Sequence, residues 1–553
     1  MSSDPGGAAA ALQEGLAAAQ RGDAEGALRA WRRARTLDPA DQGTILRLGD
    51  LLIRIGRFAE ADDALAEGTP NPAIARRRAI CALAFGHFTA AEAFARAALD
   101  DAAEGAQARQ FLASVLIQRG DVQGAREQLA LAKAADPAFE TAYTDDLFAA
   151  NYDPAMTGAA LKDLYADWAQ RFCPPEAPLA APAPGGRRLK VAYVSPDLRR
   201  HSLRHFISPI FRHHDRAKIE VHAYALSGTP DAEAAALRKR VDVWHDCQAL
   251  DDDGLAAKAR ADGIDVAIDL AGHTAGAKLK AFARRLAPVQ VTWLGYGGTT
   301  GVGAMDWYLG DAHMAPKGSD AAFTERVWRL TRAAFAFDPP PEMPAVSPLP
   351  AQAKGHVTFG SFSRLVRIND AVIAAWAAIL AQVPGSRLML NALPFVDGAV
   401  REDYAARFAR HGIAAERLDL IYTSPQPATW AAYGQIDIAL DPFPHNGGVT
   451  TFEALWMGVP MVSLRARPPL GRYGDCLLTA LGLDDFCVDT VEAYIARAVD
   501  AARDLPTLAA LRGGLRPRMA ASELCDGKGL AAALDTAYAA MFNARAESSS
   551  GSV

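Results

Sequence analysis

Residues 436–458 read IDIALDPFPHNGGVTTFEALWMG. The apolar run 436–440 has the length and composition of a buried strand, and FEALWMG reads as helix, so a loop of small residues joins a strand to a helix N-terminus. That is phosphate-binding architecture. Gly447 and Gly448 let backbone N–H groups approach an anion, Asn446 stands beside them, Thr450 and Thr451 add hydroxyl donors, and the helix dipole favours negative charge. The Lys-Ser/Thr ending of a P-loop is missing, so ATP hydrolysis is not implied. A helix start capped by threonine is the alternative reading of the same residues. Upstream, GSFSRLVRIND at 360–370 again lies between strand and helix. It brings Arg364 and Arg367 towards the same strand ends, where arginine can clamp phosphate or carboxylate oxygens, or else simply face solvent at a helix entry.

From residue 189 onward, short β-branched runs alternate with helical text: LKVAYVSPD, IEVHAYALSG, GIDVAIDLAG and VQVTWLGYGG, then HVTFGSF, SRLMLNAL, LDLIYTS, IDIALDPF and PMVSL. Such alternation predicts parallel α/β sheets. The proline-rich stretch 338–350, DPPPEMPAVSPLP, separates a first lobe at 187–337 from a second at 353–545, two doubly wound units around a cleft. In the first lobe, SPDLRRHSLRH (195–205), DLAGHT (269–274) and WLGYGGTTG (293–301) each stand at a strand end. They offer His201, His205, Asp269, His273, Gly298 and Thr299 as cleft candidates. His201 and His205, four apart, suit one helical face. They read as metal ligands, as a general base or as surface histidines, and no third metal ligand stands at a matching spacing, so no metal is expected.

Before residue 187 the text is helical and repetitive. Gly22-Asp23, Gly56-Arg57, Gly86-His87 and Gly120-Asp121 recur at intervals of 34, 30 and 34 residues. Alanine stands five residues after each glycine, at Ala27, Ala61, Ala91 and Ala125. Ala34, Ala98 and Ala132 stand twelve after, with Gly68 in the second unit, and Pro39 and Pro137 end the second helix of a pair. This pattern resembles about four tetratricopeptide repeats over 8–140, with a generic alanine-rich bundle as the alternative. Helix-pair arrays hold extended peptide or a partner protein. Residues 141–186 read as a helical bridge followed by the linker PPEAPLAAPAPGG (174–186).

Across its 553 residues the chain is half apolar and 22% charged, with 58 Lys plus Arg against 64 Asp plus Glu. A net charge of -6 excludes non-specific nucleic-acid or anionic-lipid binding as the expected role. The six cysteines contain no C-x-x-C pair, which argues against a zinc site or a disulfide framework. The start MSSDPGG lacks the pattern of a signal peptide, so a cytoplasmic location is expected. The uncharged window 286–305 carries five glycines and a proline, better suited to strand and loop than to a membrane span.

YVSPDLRRHSLRH, DLAGHTAG, APVQVTWLGYGGTTG and FPHNGGVTTFEALWMGVPMVSL, in this order after helical repeats, resemble the O-linked N-acetylglucosamine transferase family, including the Spindly-like enzymes. The resemblance covers nearly the whole chain and extends to NYDPAMTGAALKDLYADWAQRF at 151–172. It implies a tetratricopeptide array followed by a GT-B glycosyltransferase of two Rossmann-like lobes, needing no cofactor. It makes His201 the candidate base and puts Thr450 and Thr451 on the donor diphosphate. Arg367 stands where the family has an essential lysine and Arg364 where it has a glutamine. Pro427 and Trp430 stand at the base-contact positions, and Gly297 replaces the proline of WLGYPGTTG. These departures, and a layout similar to bacterial flagellin glycosyltransferases, lead us to expect a CMP-activated nonulosonic acid as donor and flagellin as acceptor. UDP-N-acetylglucosamine transfer to protein, or a non-catalytic adaptor, are the alternatives.

Overall fold

A computed structural model describes residues 5–99, 105–182, 185–228 and 231–550. The repeat interval therefore includes five residues, 100–104, that lie outside the described ones, as do Ala183 and Pro184 of the linker. Among the described residues, eight helices form the repeat region: α1 (Pro5–Gln20), α2 (Ala24–Leu37), α3 (Gln42–Arg54), α4 (Phe58–Ala66), α5 (Pro72–Ala84), α6 (Phe88–Ala97), α7 (Gly105–Arg119) and α8 (Val122–Ala135). The periodic glycines sit in the turn inside each pair, at φ of +78°, +77°, +74° and +88° for Gly22, Gly56, Gly86 and Gly120. Only glycine enters that left-handed region without steric cost, which explains their spacing. Ala27, Ala61, Ala91 and Ala125 are fully buried, since a larger side chain there would hold the paired helices apart. A Cβ on Gly68 would stand 2.5 Å from Ile74 Cδ1. The same compact unit takes in Leu393–Tyr404 from the second lobe. There the Thr89 N–H donates to Asp397 Oδ2 at 2.8 Å and the Tyr404 hydroxyl donates to the Arg119 carbonyl at 3.2 Å.

Two further helices, α9 (Glu140–Ala150) and α10 (Gly158–Phe172), precede the sheets. The first sheet contains β1 (Leu189–Ser195), β2 (Ile219–Ala225), β3 (Val243–Asp246), β4 (Val266–Asp269), β5 (Val289–Thr292), β6 (Trp307–Asp311) and β7 (Arg326–Leu330), in the order β3-β2-β1-β4-β5-β6-β7. The second contains β8 (Thr358–Ser361), β9 (Arg387–Asn391), β10 (Leu418–Ile421), β11 (Ile438–Leu440), β12 (Met461–Leu464) and β13 (Cys487–Val488), in the order β10-β9-β8-β11-β12-β13. All the pairings are parallel, with Val191 opposite Val266 in the first sheet and Ile438 opposite Phe359 in the second. Strand order reverses between β1 and β4, and again between β8 and β11. At such a point the two following crossovers leave towards opposite faces and open a crevice at the carboxyl ends of the strands. The quoted motifs lie there: 195–201 and 269–274 follow β1 and β4, while 361–367 and 441–448 follow β8 and β11.

The second lobe does not run to residue 545. The last helix, Gly527–Ser550, carries Leu530, Leu534, Tyr538, Met541 and Phe542 on one stripe, and these join Val191, Tyr193, Ile207 and Phe211 in the first lobe's core. The stripe needs an apolar partner, and the helices against the first sheet provide it. A buried cluster fixes the docking: the Tyr193 hydroxyl lies 2.7 Å from His214 Nε2, and Asp535 bonds both the His214 ring and the Asp215 N–H. The uncharged window 286–305 is β5 and a loop. Among the described residues no helix is long and apolar enough to cross a membrane.

Candidate active site

At the end of β11, burial raises the Asp441 carboxyl to about 6 despite its partners. Its Oδ1 accepts the Gly447 N–H at 2.7 Å, its Oδ2 accepts the Ser463 hydroxyl at 2.6 Å, and its carbonyl accepts the Tyr494 hydroxyl at 3.1 Å. One carboxylate thus folds the glycine loop back onto the neighbouring strand. The helix that follows, Val449–Trp456, starts at Gly448 with no side-chain cap, which leaves its first N–H groups available to an anion. A Cβ on Gly447 would collide with the Thr451 hydroxyl, and one on Gly448 would meet no protein atom within 4 Å. Thr450, Thr451 and Asp441 line a recess of about 290 Å³, open mouth included, whose other wall is Ser361, Phe362, Ser363 and Tyr433.

Asn446 stands elsewhere in this arrangement. It is completely buried, donates to the Pro442 carbonyl at 3.2 Å and accepts the Gly474 N–H at 3.3 Å. It braces the loop from beneath rather than facing a ligand.

The loop after β8 crosses to the same place. Asn369 caps the next helix through the Val372 N–H at 3.0 Å and donates to the Phe443 carbonyl at 2.7 Å, tying the two loops together. Burial lowers the Arg367 pKa, opposed chiefly by Tyr152 and Asp441. Among the described residues no carboxylate lies within ion-pair distance of this guanidinium. Its neighbours are the His445 ring, with Nε 3.4 Å from Nδ1, and the Tyr152 ring, whose centroid lies 6.0 Å from Cζ. Arg364 is exposed and donates to the Tyr152 hydroxyl at 2.9 Å. A half-buried cation without an ion-paired carboxylate attracts an anion. Two members of this site escaped sequence reasoning. His445 stands within the loop and Tyr152 within the helical bridge, and a single aromatic there has no periodicity to mark it.

Base-side expectations need correction. Trp430 is 5% exposed, and its Nε1–H donates to the buried Glu453 carboxylate at 2.9 Å, a group that Gln426 also reaches at 3.0 Å. It is not among the side chains that line the recess, which include the Phe362–Tyr433 stack at 4.3 Å. Pro427 lies exposed on the helix Gln426–Ala432.

In the first lobe most candidates are spent on internal bonds. Asp269 accepts the Ala271 and Gly272 N–H groups and the Thr292 hydroxyl, which folds its turn. His273 donates from Nε2 to the Thr300 carbonyl at 2.8 Å between Tyr165 and Trp168 of α10, and burial lowers its pKa to about 4. Thr299 is 4% exposed and donates to Glu325 at 2.6 Å, so it faces the lobe interior rather than a donor. His205 Nδ1 lies 3.2 Å from the Asp338 carbonyl, and burial lowers its pKa to about 4. That histidine fastens the interlobe crossing. All four bond within the fold, and of them Asp269 and Thr299 are buried, where a polar group must find its partner inside.

His201 differs. Its side chain is 42% exposed, the Leu203 N–H donates to its Nδ1 at 3.3 Å, and Asp197 Oδ2 lies 3.8 Å from the same atom. Burial lowers its pKa against the raising effect of Asp197, so the ring is neutral near pH 7, able to accept a proton. The helix after it meets the helix after the glycine loop, with Phe206 against Phe452 at 4.9 Å. Gly297, beside the buried Gly298, has φ of +81°, and a Cβ on it would collide with the Tyr473 hydroxyl of the other lobe. Proline, fixed near -65°, cannot adopt this conformation, so the exchange at this position alters the loop as well as its side chain. Among the described residues no three His, Cys, Asp or Glu side chains gather to hold a metal ion.

Comparison with known proteins agrees with this architecture. The chain is 35% identical over 418 residues to the probable UDP-N-acetylglucosamine–peptide N-acetylglucosaminyltransferase SPINDLY of Hordeum vulgare, covering 74% of this chain and 44% of that protein. It is 28% identical over 370 residues to the corresponding SEC protein of Arabidopsis thaliana, covering 65% of this chain and 38% of that one. It thus spans less than half the length of the curated relatives it matches. A mutant O-GlcNAc transferase of Thermobaculum terrenum superposes with a TM-score of 0.84 at 33% identity, over 99% of this chain and all of that one. The sequence profile of glycosyl transferase family 41 matches residues 178–344 and 346–534, and with both Rossmann-like lobes so covered, the chain belongs to glycosyl transferase family 41.

Proposed function

We propose that this protein is a protein O-glycosyltransferase that moves N-acetylglucosamine from its UDP-activated form to a Ser or Thr hydroxyl of a protein acceptor held by the repeats. The observation that carries the reading is Arg367, a half-buried cation without an ion-paired carboxylate among the described residues. It stands next to a helix whose N-terminus lacks a side-chain cap, at the crevice between β8 and β11. This combination suits a diphosphate. In the proposed step the acceptor oxygen bonds to the anomeric carbon while the bond from that carbon to the phosphate oxygen breaks. UDP leaves with the electron pair, and the hydroxyl proton passes to His201 or through it to water. Charge growing on the leaving phosphate meets Arg367, Arg364 and the first amides of the Val449–Trp456 helix, with Thr450 and Thr451 beside them, a preorganised electrostatic role.

The expectation of a CMP-activated nonulosonic acid and a flagellin acceptor gives way here. It rested on the paired arginines, on the departures at Pro427, Trp430 and Gly297, and on a layout similar to bacterial flagellin glycosyltransferases. Of these, Trp430 is buried against Glu453 and does not line the recess, and Pro427 is exposed on its helix. The similar proteins bear names that specify UDP-N-acetylglucosamine, which favours the alternative donor. Thermal stabilisation by UDP, CMP and GDP side by side, followed by sugar transfer from UDP-N-acetylglucosamine to a Ser/Thr-rich peptide, tests the reading. A shift with UDP and transfer are expected. A shift with CMP alone restores the nonulosonic donor, and no shift with any nucleotide favours a non-catalytic adaptor.

A further inference from the structure

Tyr152 belongs to neither sheet, yet it touches three groups of the anion site. Its hydroxyl accepts from Arg364 Nη2 at 2.9 Å, its ring lies 6.0 Å from the Arg367 guanidinium carbon, and the His445 ring stacks on it at 4.6 Å with 8° between planes. The chain around it is fixed on both sides. Arg467, from the loop after β12, donates to the carbonyls of Asp153 at 2.9 Å and Ala150 at 3.4 Å and also to those of Asn151 and Met156. Asn151 Nδ2 donates to the Tyr165 hydroxyl at 2.7 Å and to the Tyr296 hydroxyl at 2.8 Å. Burying the Arg467 guanidinium against carbonyl dipoles lowers its pKa to about 10. Such a desolvated cation is tolerated because its donors are bonded, and the bonds hold 150–156 in one conformation.

We propose that Tyr152 is a positioning residue of the anion site: its hydroxyl fixes the Arg364 guanidinium, and its ring keeps Arg367 and His445 in register. A diphosphate then meets a preformed pair of cations instead of two long side chains that must first lose rotamer freedom. The proposal rests on the anion-site reading given under Proposed function.

Calorimetric titration of the full chain with UDP and with uridine tests it, using wild type, Tyr152→Phe, Arg364→Ala and the double variant. Tyr152→Phe keeps the ring and removes the hydrogen bond from Arg364. It is expected to weaken UDP about five-fold, to leave uridine unchanged, and to add nothing once Arg364 is alanine. In transfer assays KM for the donor rises with little change in kcat. Equal weakening of UDP and uridine, a full additional loss in the Arg364→Ala background, or no change in UDP affinity each overturns the proposal. A wild-type protein that binds UDP separates these failures from failure of the parent reading. If it binds none of UDP, CMP and GDP, the anion site itself is lost and the role of Tyr152 falls with it.

Discussion

The two lobes place their motifs at equivalent points of two parallel sheets, but they use them differently. Beyond β4 and β5, Asp269, His273 and Thr299 are consumed by hydrogen bonds inside the first lobe. Beyond β8 and β11, half-buried Arg367 has no carboxylate within ion-pair distance among the described residues, and the helix Val449–Trp456 after the glycine loop begins without a side-chain cap. The first lobe spends its polar candidates inside the fold, all but the exposed His201, whereas the second keeps an arginine and a helix N-terminus at its crevice. A topological switch point is therefore a place where a ligand can bind, and the local accounting of partners decides which of two such places is built for one.

The largest effect that would break this contrast concerns Arg367. Arg367→Ala is expected to abolish the UDP-induced thermal shift and lower transfer about a thousand-fold, with Arg367→Lys recovering part of both. Retained nucleotide binding in the alanine variant would move the anion site elsewhere. His201→Ala should lower transfer about a hundred-fold while UDP binding stays intact, since His201 is the exposed first-lobe candidate. A parallel loss of UDP binding would place it on the donor rather than on the acceptor hydroxyl.

Smaller effects sharpen the comparison. His273→Ala should destabilise the fold by about 2–3 kcal/mol, through the orphaned Thr300 carbonyl and the space left between Tyr165 and Trp168. UDP affinity should stay within about two-fold, so urea denaturation and titration together separate a structural from a ligand-binding histidine.

The smallest is a pH effect of opposite sign in the two lobes. Asp441, raised to about 6 when folded, favours folding below the unfolded carboxyl pKa, and this contribution disappears as pH rises from about 4 to 6. His273, lowered to about 4, costs stability as pH falls from about 6.5 to 4, because the unfolded chain takes up the proton more readily. Melting temperature against pH should therefore fall less steeply between 4 and 6 in Asp441→Asn than in wild type, and more steeply in His273→Phe. Curves parallel to wild type would show that neither group titrates as the geometry requires.

Much of the architecture was legible before any coordinates. The turn glycines and the alanines five residues on mark the helix pairs because each turn demands a left-handed residue and each close approach a small one. The β-branched runs mark parallel strands because those strands are buried on both faces. In the site, Arg364, Arg367, Gly447, Gly448, Thr450 and Thr451 could be read from loops between strand and helix, and the structure gathers them at one crevice. Asn446, Trp430, Asp269, His273, His205 and Thr299 read equally well as site residues, but the fold uses them internally.

What the sequence alone determined is what local chemistry determines: strands, helices, the turns between them and the family to which their order belongs. Tertiary structure decided which polar groups find partners inside the protein and which do not. It also decided that Tyr152, from a bridge nearly three hundred residues before the glycine loop, would stand against Arg364, Arg367 and His445, and that the last helix would return to the first lobe. Those outcomes depend on contacts between residues far apart in the chain, and neither the periodicity of a segment nor the spacing of a motif carries information about a partner that distant.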